Sequence, residues 1–268
     1  MSTEPEWLAP ASLDEALALR AERREGATVV AGGTFVGILV NSRLLAPEAF
    51  LSLQRVAGLD YIRANGDLRI GALTTHRSVE LSPLVRDGWP ALALAFSLVA
   101  SPRVRNQATV GGVLADADYA SDPPSMFIAL AARVVARSVR GEREVPVDEL
   151  ITGFYETSLE PDELVVEVVV PGGEHHATYR KFRSRSHEDR PAVGVAACRR
   201  PGELRVVVGA VAGRPQWFPD LCDPGAAPAD VARGYAEAID PISDVSGSSE
   251  YRRRVIEVEV RRALEELA

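Results

Sequence analysis

The chain has 268 residues, of which 46% are hydrophobic, and its formal net charge is -8 at pH 7. This composition can bury a core in one large domain or two smaller ones, and the acidic balance argues against nucleic acid as the main partner. No run of about 18 apolar residues predicts a membrane span, and the acidic N-terminal residues lack the apolar stretch of a secretory signal. We therefore expect a cytoplasmic protein.

The cysteines and histidines do not form a metal-binding or disulfide pattern. Cys198 and Cys222 are the two cysteines, too few for a four-thiolate iron–sulfur site within this chain. We expect both to be free and buried. His175 and His176 are adjacent, so their side chains would point apart on a strand or in a loop, and we expect no metal site.

A helix signal and a strand signal open the chain. In residues 11–26 a capping box places Ser12 three positions before Glu15, and apolar residues follow at helical spacing until a glycine stops the pattern. Residues 27–31 are a short apolar run typical of a buried strand. Residues 49–53 form a second run of this kind.

Gly32 and Gly33 follow the first strand signal, in the stretch TVVAGGTFVGIL. A glycine pair here is most often a turn that leaves a strand, because glycine enters positive φ without steric cost. The alternative is a loop whose successive amide N–H groups hold a phosphate. The stretch matches neither G-x-G-x-x-G nor the P-loop, so these residues alone leave both interpretations open.

Residues 61–125 begin with clear strand and helix signals and end in a long stretch whose apolar residues show no regular spacing. Residues 61–73 carry the best hairpin signal, with two alternating arms around Asn-Gly. Residues 75–85 and 90–100 have helix patterns, and the second is almost wholly apolar, which predicts a buried helix. A long irregular segment such as residues 101–125 is usually functional or disordered. Its few charges favour an ordered, functional loop.

A second glycine pair, Gly111 and Gly112, lies inside this loop. Two glycine turns from different parts of a domain can close on one extended ligand, and a pyrophosphate would suit them. In this interpretation the phosphates occupy the space that a side chain would need. Asp122 could accept hydrogen bonds from sugar or ribityl hydroxyls, or cap the helix predicted after it, or do both. Asp116 and Asp118 are expected to be solvated loop acids.

The order of the predicted strands and helices changes after Pro171. A strand signal in residues 162–170 stops there, and the stretch PGGEHHA is the best linker candidate. Three strand patterns and then two helix patterns follow, which is typical of an α+β domain. The predicted domains are residues 1–171, with subdomains of about 1–55 and 56–171, and residues 172–268.

Six stretches match, in order, the landmarks of one known family. VVAGGT resembles its first FAD loop, and RNQATVGGVLADADYASDPP resembles its second. RIGALTTHRSVE, LEPDELVVEVVVP, YRKFRSR and SEYRRRVIEVEVRRAL match further landmarks. The ordered set covers essentially the whole chain, which therefore resembles the FAD-binding medium subunit of the xanthine dehydrogenase and carbon monoxide dehydrogenase family, the molybdenum hydroxylases.

This resemblance implies an α+β fold, with a vanillyl-alcohol-oxidase-type (PCMH-like) FAD-binding domain and a small CO-dehydrogenase-flavoprotein-like C-terminal domain. It implies that residues 29–36 wrap the FAD pyrophosphate and that residues 108–114 approach FAD from the other side. Ser121 and Asp122 match polar contacts to FAD, and Lys181 matches a lysine near the flavin ring. The FAD-binding residues that it implies, including an apolar wall of Ala100, Val104 and Val165, are Val29, Val30, Ala31, Gly32, Gly33, Thr34, Phe35, Val36, Ala100, Val104, Ala108, Thr109, Gly111, Gly112, Val113, Leu114, Ser121, Asp122, Val165 and Lys181.

Two positions depart from the family's pattern. Phe35 stands where the family mostly has a small polar or acidic residue, and Val113 replaces the usual asparagine beside the cofactor. Both changes could alter the affinity or the redox potential of the flavin. Tyr119 is expected either beside the flavin ring or packed in the core. The cysteine-bearing insertion of one branch is missing from the sequence, which excludes that branch.

The resemblance implies an electron-transfer subunit without a substrate base of its own. In this family, substrate is hydroxylated at a molybdenum cofactor on a large subunit, and electrons pass through two [2Fe–2S] clusters on a small subunit. FAD on the medium subunit passes them to NAD, a quinone or oxygen, and the protein supplies binding and electrostatics. Two alternatives stay open: a self-sufficient flavin-dependent oxidoreductase acting on a small molecule, and a non-redox nucleotide-binding module with a degenerate FAD site.

Overall fold

The computed structural model describes residues 4–184, 186 and 188–268, so Arg185, the last residue of the YRKFRSR stretch, lies outside the described residues. The strands are β1 (Glu6–Leu8), β2 (Ala27–Val30), β3 (Ala49–Ser52), β4 (Ile62–Asn65), β5 (Asp67–Gly71), β6 (Arg133–Ser138), β7 (Gly141–Pro146), β8 (Ile151–Gly153), β9 (Glu156–Thr157), β10 (Leu164–Val170), β11 (His176–Phe182), β12 (Val193–Arg200), β13 (Glu203–Gly209) and β14 (Gln216–Trp217). The helices are α1 (Leu13–Arg23), α2 (Val36–Asn41), α3 (His76–Leu81), α4 (Pro83–Gly88), α5 (Pro90–Ser97), α6 (Pro102–Arg105), α7 (Val110–Ala115), α8 (Asp122–Ala129), α9 (Val147–Leu150), α10 (Pro228–Ala238) and α11 (Ser249–Glu266).

The N-terminal strands form a parallel sheet in the order β1-β3-β2. Helix α1 covers it, and its buried Leu17 belongs to the same core cluster as Leu51 of β3. The predicted helix start is confirmed, because the Ser12 hydroxyl accepts a hydrogen bond from the Glu15 amide at 3.2 Å. The glycine loop after β2 therefore begins at the edge of a well-packed sheet.

An antiparallel sheet in the order β4-β5-β10-β6-β7 forms the centre of the N-terminal region. The predicted hairpin is confirmed as β4 and β5, and Gly66 between them has φ +80°. Strand β10 is buried at nearly every position and ends before Pro171, which has no N–H for a sheet ladder. Helices α5 and α8 share the core cluster of this sheet.

Two predicted elements are wrong in detail. Residues 75–85 form two helices rather than one, because the Ser82 hydroxyl caps α4 by accepting from the Val85 amide at 3.4 Å. Residues 101–125 are not an irregular loop: they contain α6, α7 and the start of α8. These helices span four, six and eight residues, which is too short to show a helical period in the sequence.

The C-terminal region contains an antiparallel sheet in the order β11-β12-β13-β14. Helices α10 and α11 share a core cluster with β12 and β13, while α8 from the N-terminal region also packs against these two strands. Cys198 and Cys222 are buried and free, as predicted. The predicted domain boundary at residues 171–172 falls between β10 and β11 and stays a prediction. In the part of the chain that the structure describes, no helix is long and apolar enough to cross a membrane.

Gly71 offers a test of the packing at the end of β5. A Cβ atom at Gly71 would lie 2.2 Å from the Leu59 carbonyl oxygen, so backbone must move to accept it. We expect Gly71→Ala to lower the free energy of unfolding by about 1–3 kcal/mol. Urea unfolding should show no loss for the control Gly88→Ala, because outside its chain neighbours and the backbone of α4 no described atom lies within 4 Å of its Cβ position. Equal unfolding midpoints for the two variants would contradict this packing.

Candidate cofactor-binding site

A cavity of about 730 Å³ is lined by both glycine-bearing segments, the start of α8 and Lys181 of β11. Nearly every residue predicted to bind FAD lines it. The exceptions are Val30, which is buried in β2, and Leu114, which is fully buried in the core under the central sheet. For the predicted residues that do line the cavity, contact with FAD stays a prediction.

The space beside Gly32 is occupied by protein and not by a ligand. A Cβ atom at Gly32 would lie 1.8 Å from the carbonyl oxygen of Gln107. The segment before α7 therefore packs directly on the first glycine loop, and the expectation that phosphates exclude a side chain at Gly32 is wrong. Gly33 has a different requirement: its φ of +69° lies in the left-handed region that favours glycine.

The first loop has backbone donors that are not used by the part of the chain that the structure describes. In residues 32–36 no amide N–H donates a hydrogen bond to any residue that the structure describes. The next amide along the chain, that of Gly37, donates to the Gly33 carbonyl oxygen at 2.9 Å. Each residue of this segment lines the cavity. Successive unpaired N–H groups around a concavity form an anion-binding site. This loop therefore has the donors that a pyrophosphate requires.

The second glycine pair forms the start of α7 rather than a turn. The amide of Gly111 donates to the Ala72 carbonyl oxygen at 2.8 Å, and the amide of Gly112 donates to the Thr109 hydroxyl at 3.2 Å. A Cβ atom at Gly111 would lie 2.7 Å from that of Ala72. These amides are already used within the protein, so this pair seats α7 against the residue that follows β5. The prediction that both glycine pairs cradle phosphates with their amides is wrong for the second pair.

A buried ion pair joins the start of α8 to β11 at the cavity wall. The Lys181 ammonium donates to Asp122 Oδ2 and to the Leu98 carbonyl oxygen, both at 2.8 Å. The Tyr179 hydroxyl donates to Asp122 Oδ1 at 2.7 Å. The side chains of Lys181 and Asp122 are 2% and 4% exposed. Burial raises the pKa of Asp122 and lowers the pKa of Lys181, and the attraction between the two charges opposes both shifts.

Asp122 is not the N-cap of α8. Ser121 occupies that position, and Asp122 is the first helical residue. Both carboxylate oxygens of Asp122 already accept hydrogen bonds from β11. A carboxylate oxygen can accept a further bond, so the predicted FAD contact stays a prediction. The contact that the structure shows links the start of α8 to β11 of the C-terminal sheet.

The aspartates after α7 are more enclosed than predicted. Asp118 forms an ion pair with Arg190, at 2.7 Å between Oδ2 and Nη2, and its side chain is 14% exposed. Burial, and then the charge of Asp118, raise the pKa of Asp116 to about 7. Both aspartates line the cavity. The expectation that they are solvated loop acids is therefore wrong.

Aromatic side chains lie at one side of the cavity. Phe35 stacks on Tyr155, with 5.6 Å between ring centroids and an interplanar angle of 14°, and both residues line the cavity. Tyr119 packs edge-on against Phe154 and Tyr155, so in this structure it belongs to an aromatic cluster. Val113, the other departure from the family's pattern, lines the cavity and packs against the central core.

Several residues that line the cavity were not predicted to bind FAD, among them His76, Tyr155 and Arg190. His76 had a detectable signal, because it lies in RIGALTTHRSVE, one of the stretches that match the family's landmarks. Tyr155 and Arg190 lie in irregular segments far from the glycine pairs in sequence. Only the folded chain brings them to the cavity.

Comparisons with known proteins agree with the geometry. The family model described as "FAD binding domain in molybdopterin dehydrogenase" matches residues 2–173. The chain is 35% identical to the 6-hydroxypseudooxynicotine dehydrogenase complex subunit alpha of Paenarthrobacter nicotinovorans, over 94% of this chain and 90% of that protein. It is 31% identical to the carbon monoxide dehydrogenase medium chain of Hydrogenophaga pseudoflava, over 97% of this chain and 95% of that protein.

A solved structure of carbon monoxide dehydrogenase from Hydrogenophaga pseudoflava matches the fold with a TM-score of 0.92 and 29% identity. The match covers 100% of this chain and 98% of that chain. The predicted α+β fold and the predicted cofactor, FAD, are thereby confirmed. The chain belongs to the FAD-binding medium subunits of the molybdenum hydroxylase family.

Proposed function

We propose that this chain binds FAD in the described cavity and works within a complex. It would receive electrons from [2Fe–2S] clusters on a small partner subunit, after oxidation of substrate at a molybdenum cofactor on a large partner subunit. The acceptor would be NAD, a quinone or oxygen. The observation that carries the proposal is the run of unpaired amides in residues 32–36 at the wall of the 730 Å³ cavity.

The residues of this chain would bind and orient the cofactor, and the flavin would supply the electron-transfer chemistry. The amides of residues 32–36 offer donors for the pyrophosphate. Lys181 provides a positive charge at the wall, and Asp122 and Tyr179 fix the position of its side chain. Apolar residues such as Val104 and Val165 line the cavity and would limit water around the flavin.

Two observations support the proposal that this chain has partner subunits: the names of the similar proteins and the small number of cysteines. The names of the similar proteins describe a subunit alpha of a dehydrogenase complex and a medium chain. Two cysteines cannot hold a four-thiolate cluster, so a cluster donor would be on another chain. Electron transfer would require such a cluster to come close to the flavin, so we expect an interface at or above the ~1,600 Å² of a stable complex.

The test is co-expression of the chain with its native neighbouring genes, followed by size-exclusion chromatography, absorption spectroscopy and metal analysis. We expect one species that contains FAD, iron and molybdenum and whose flavin is reduced by substrate. A monodisperse monomer that turns over substrate with FAD alone would contradict the proposal in favour of the self-sufficient oxidoreductase. A chain without flavin bands would favour the nucleotide-binding module.

The buried Lys181–Asp122 pair gives a second prediction. Lys181→Met should lower the free energy of unfolding by about 3–5 kcal/mol, because it leaves a carboxylate buried without its counter-charge. Adding Asp122→Asn should recover much of that loss. Urea unfolding of the apoprotein measures both effects.

FAD affinity of the same variants separates packing from a direct role for the charge. If the ammonium acts on FAD, the double variant should bind FAD more weakly than the single variant Asp122→Asn, which keeps the ammonium, even where its stability has recovered. Recovery of both stability and affinity in the double variant would show that Lys181 only holds the fold together. The measurement is fluorescence titration of the folded apoprotein.

The raised pKa of the Asp116 carboxyl leads us to expect that FAD binding depends on pH. Its pKa of about 7 in the free protein would rise further beside an anionic pyrophosphate, so binding above pH 7 requires proton uptake. Affinity should therefore fall between pH 7 and 9, by up to about tenfold per pH unit. Asp116→Asn should flatten the profile, whereas Asp220→Asn, at an exposed position, should leave it unchanged. Identical slopes for the wild type and Asp116→Asn would contradict this assignment.

The Asp116 carboxyl also makes the stability of the fold depend on pH. The direction is opposite to that of an ion-paired carboxylate, whose contribution is lost at low pH. The folded-state pKa of Asp116 lies above the usual aspartate value, so its favourable contribution is present at low pH and is lost as the pH rises through about 7. Asp116→Asn should accordingly raise the melting temperature of the apoprotein more at pH 8 than at pH 5.

A further inference from the structure

A buried arginine lies behind the wall of the cavity. Arg105 is the last residue of α6 and is 7% exposed. Its Nε atom donates to Glu80 Oε2 at 2.8 Å. Its Nη1 atom donates to two backbone carbonyl oxygens, that of Val99 at 2.8 Å and that of Ala100 at 3.0 Å. Val99 and Ala100 line the cavity, whereas Arg105 and Glu80 do not, so the arginine can act on the cavity only through these two wall residues.

The backbone that receives these bonds is strained at Ala100. Residues 98–101 connect α5 to α6 and belong to no helix or strand, and Ala100 has φ +40°, in the left-handed region that favours glycine. A residue with a side chain stays in this region only where its surroundings hold it there. The two carbonyl groups bonded to Arg105 lie at the two ends of the Ala100 φ torsion, so one nitrogen atom of the guanidinium fixes the strained angle.

Glu80 orients the guanidinium. Its side chain is 11% exposed, and its Oε1 atom accepts a hydrogen bond from Arg77 at 2.6 Å. Burial raises the pKa of Glu80, but the hydrogen bonds and charges of Arg105 and Arg77 outweigh this effect, and the pKa is lowered. The carboxylate is therefore charged at pH 7. It takes the Nε side of the rigid planar guanidinium, which directs Nη1 at the backbone of the wall.

The same segment also holds the charged group of the cavity. The carbonyl oxygen of Leu98 accepts a hydrogen bond from the Lys181 ammonium at 2.8 Å. Asp122 Oδ2 is the other acceptor of that ammonium. Two features of the wall, the surface at Ala100 and the position of the Lys181 ammonium, therefore depend on how residues 98–100 are held.

We propose that Arg105, oriented by Glu80, is a positioning residue for FAD: it holds residues 98–100 in the conformation that receives the cofactor. This proposal rests on FAD binding in the described cavity. A wall that is ordered before the ligand arrives lowers the cost of binding. Without the two bonds from Nη1, Ala100 relaxes towards negative φ and the wall moves. Binding must then reverse that change, so FAD affinity falls even in molecules that are fully folded.

Arg105→Lys tests this role. Lysine keeps a positive charge beside Glu80, but its single ammonium lacks the planar fork that reaches the carboxylate and both carbonyl oxygens. The folded apoprotein of this variant should lose about tenfold in FAD affinity by fluorescence titration. The visible circular dichroism of its bound flavin should also differ from that of the wild type. Arg103→Lys, the same substitution at an exposed position of the same helix, is the matched control and should behave as the wild type.

Arg77→Gln separates positioning from the stability of the charge cluster. It removes the bond to Glu80 Oε1 and none of the bonds to the wall, so it should lower the stability in urea and leave the FAD affinity of the folded protein near that of the wild type. Wild-type affinity and flavin spectrum in Arg105→Lys would overturn the proposal, as would an equal loss of affinity in Arg77→Gln. A wild-type chain that binds no FAD would instead overturn the proposed function itself.

Hydrogen exchange measured by mass spectrometry follows the wall directly. In the wild-type apoprotein residues 98–105 should be protected before FAD is added. In Arg105→Lys their exchange should be faster in the apoprotein and should slow again when FAD is bound. Equal exchange of this segment in the two apoproteins would refute the role of Arg105. Should Arg105→Lys fail to fold, Glu80→Gln, which keeps the arginine and removes its counter-charge, is measured in its place with the same expected directions and the same refuting results.

Discussion

The contact between Gly32 and the Gln107 carbonyl is the constraint on which the cavity depends. It brings a loop at the edge of the parallel sheet against the segment that leads into α7, so closely that no Cβ atom fits between them. The central sheet fixes the other side of α7 through the bond from Gly111 to Ala72. With these backbone contacts in place, the donors of residues 32–36 are held in position before any ligand arrives, which lowers the ordering cost of binding.

A second constraint connects this cavity to the C-terminal sheet. Asp122 starts α8, and Lys181 and Tyr179 are two residues apart on β11, so their side chains leave the same face of that strand. Charged groups with this little exposure are tolerated only when they are paired. The pairing therefore requires α8 and β11 to keep their positions relative to each other. The cavity wall is built from both halves of the chain and is sensitive to any shift between them.

Sequence patterns predicted the parts of this fold whose signals are local. The capping box at Ser12 and the Asn-Gly hairpin both appear in the structure as expected. The helices in residues 101–125 were missed because four to eight residues do not establish a period. For the site, the glycine pairs drew attention to two segments that line the cavity, but protein atoms, not a ligand, fill the space beside Gly32 and Gly111. The partner of Gly32 is Gln107, and the surroundings of Asp116 depend on how distant segments pack, which no local pattern encodes.

The buried Lys181–Asp122 pair has a consequence for chemical labelling, because the chain has a single lysine. Lys181 is the only lysine among the 30 basic residues of the chain, and its ammonium is enclosed by Asp122 and the Leu98 carbonyl. Amine-reactive reagents would therefore find no lysine on the surface of the native chain. Acylation of Lys181 would report the opening of the wall between α8 and β11, and the rate of that reaction would measure how often the two regions separate.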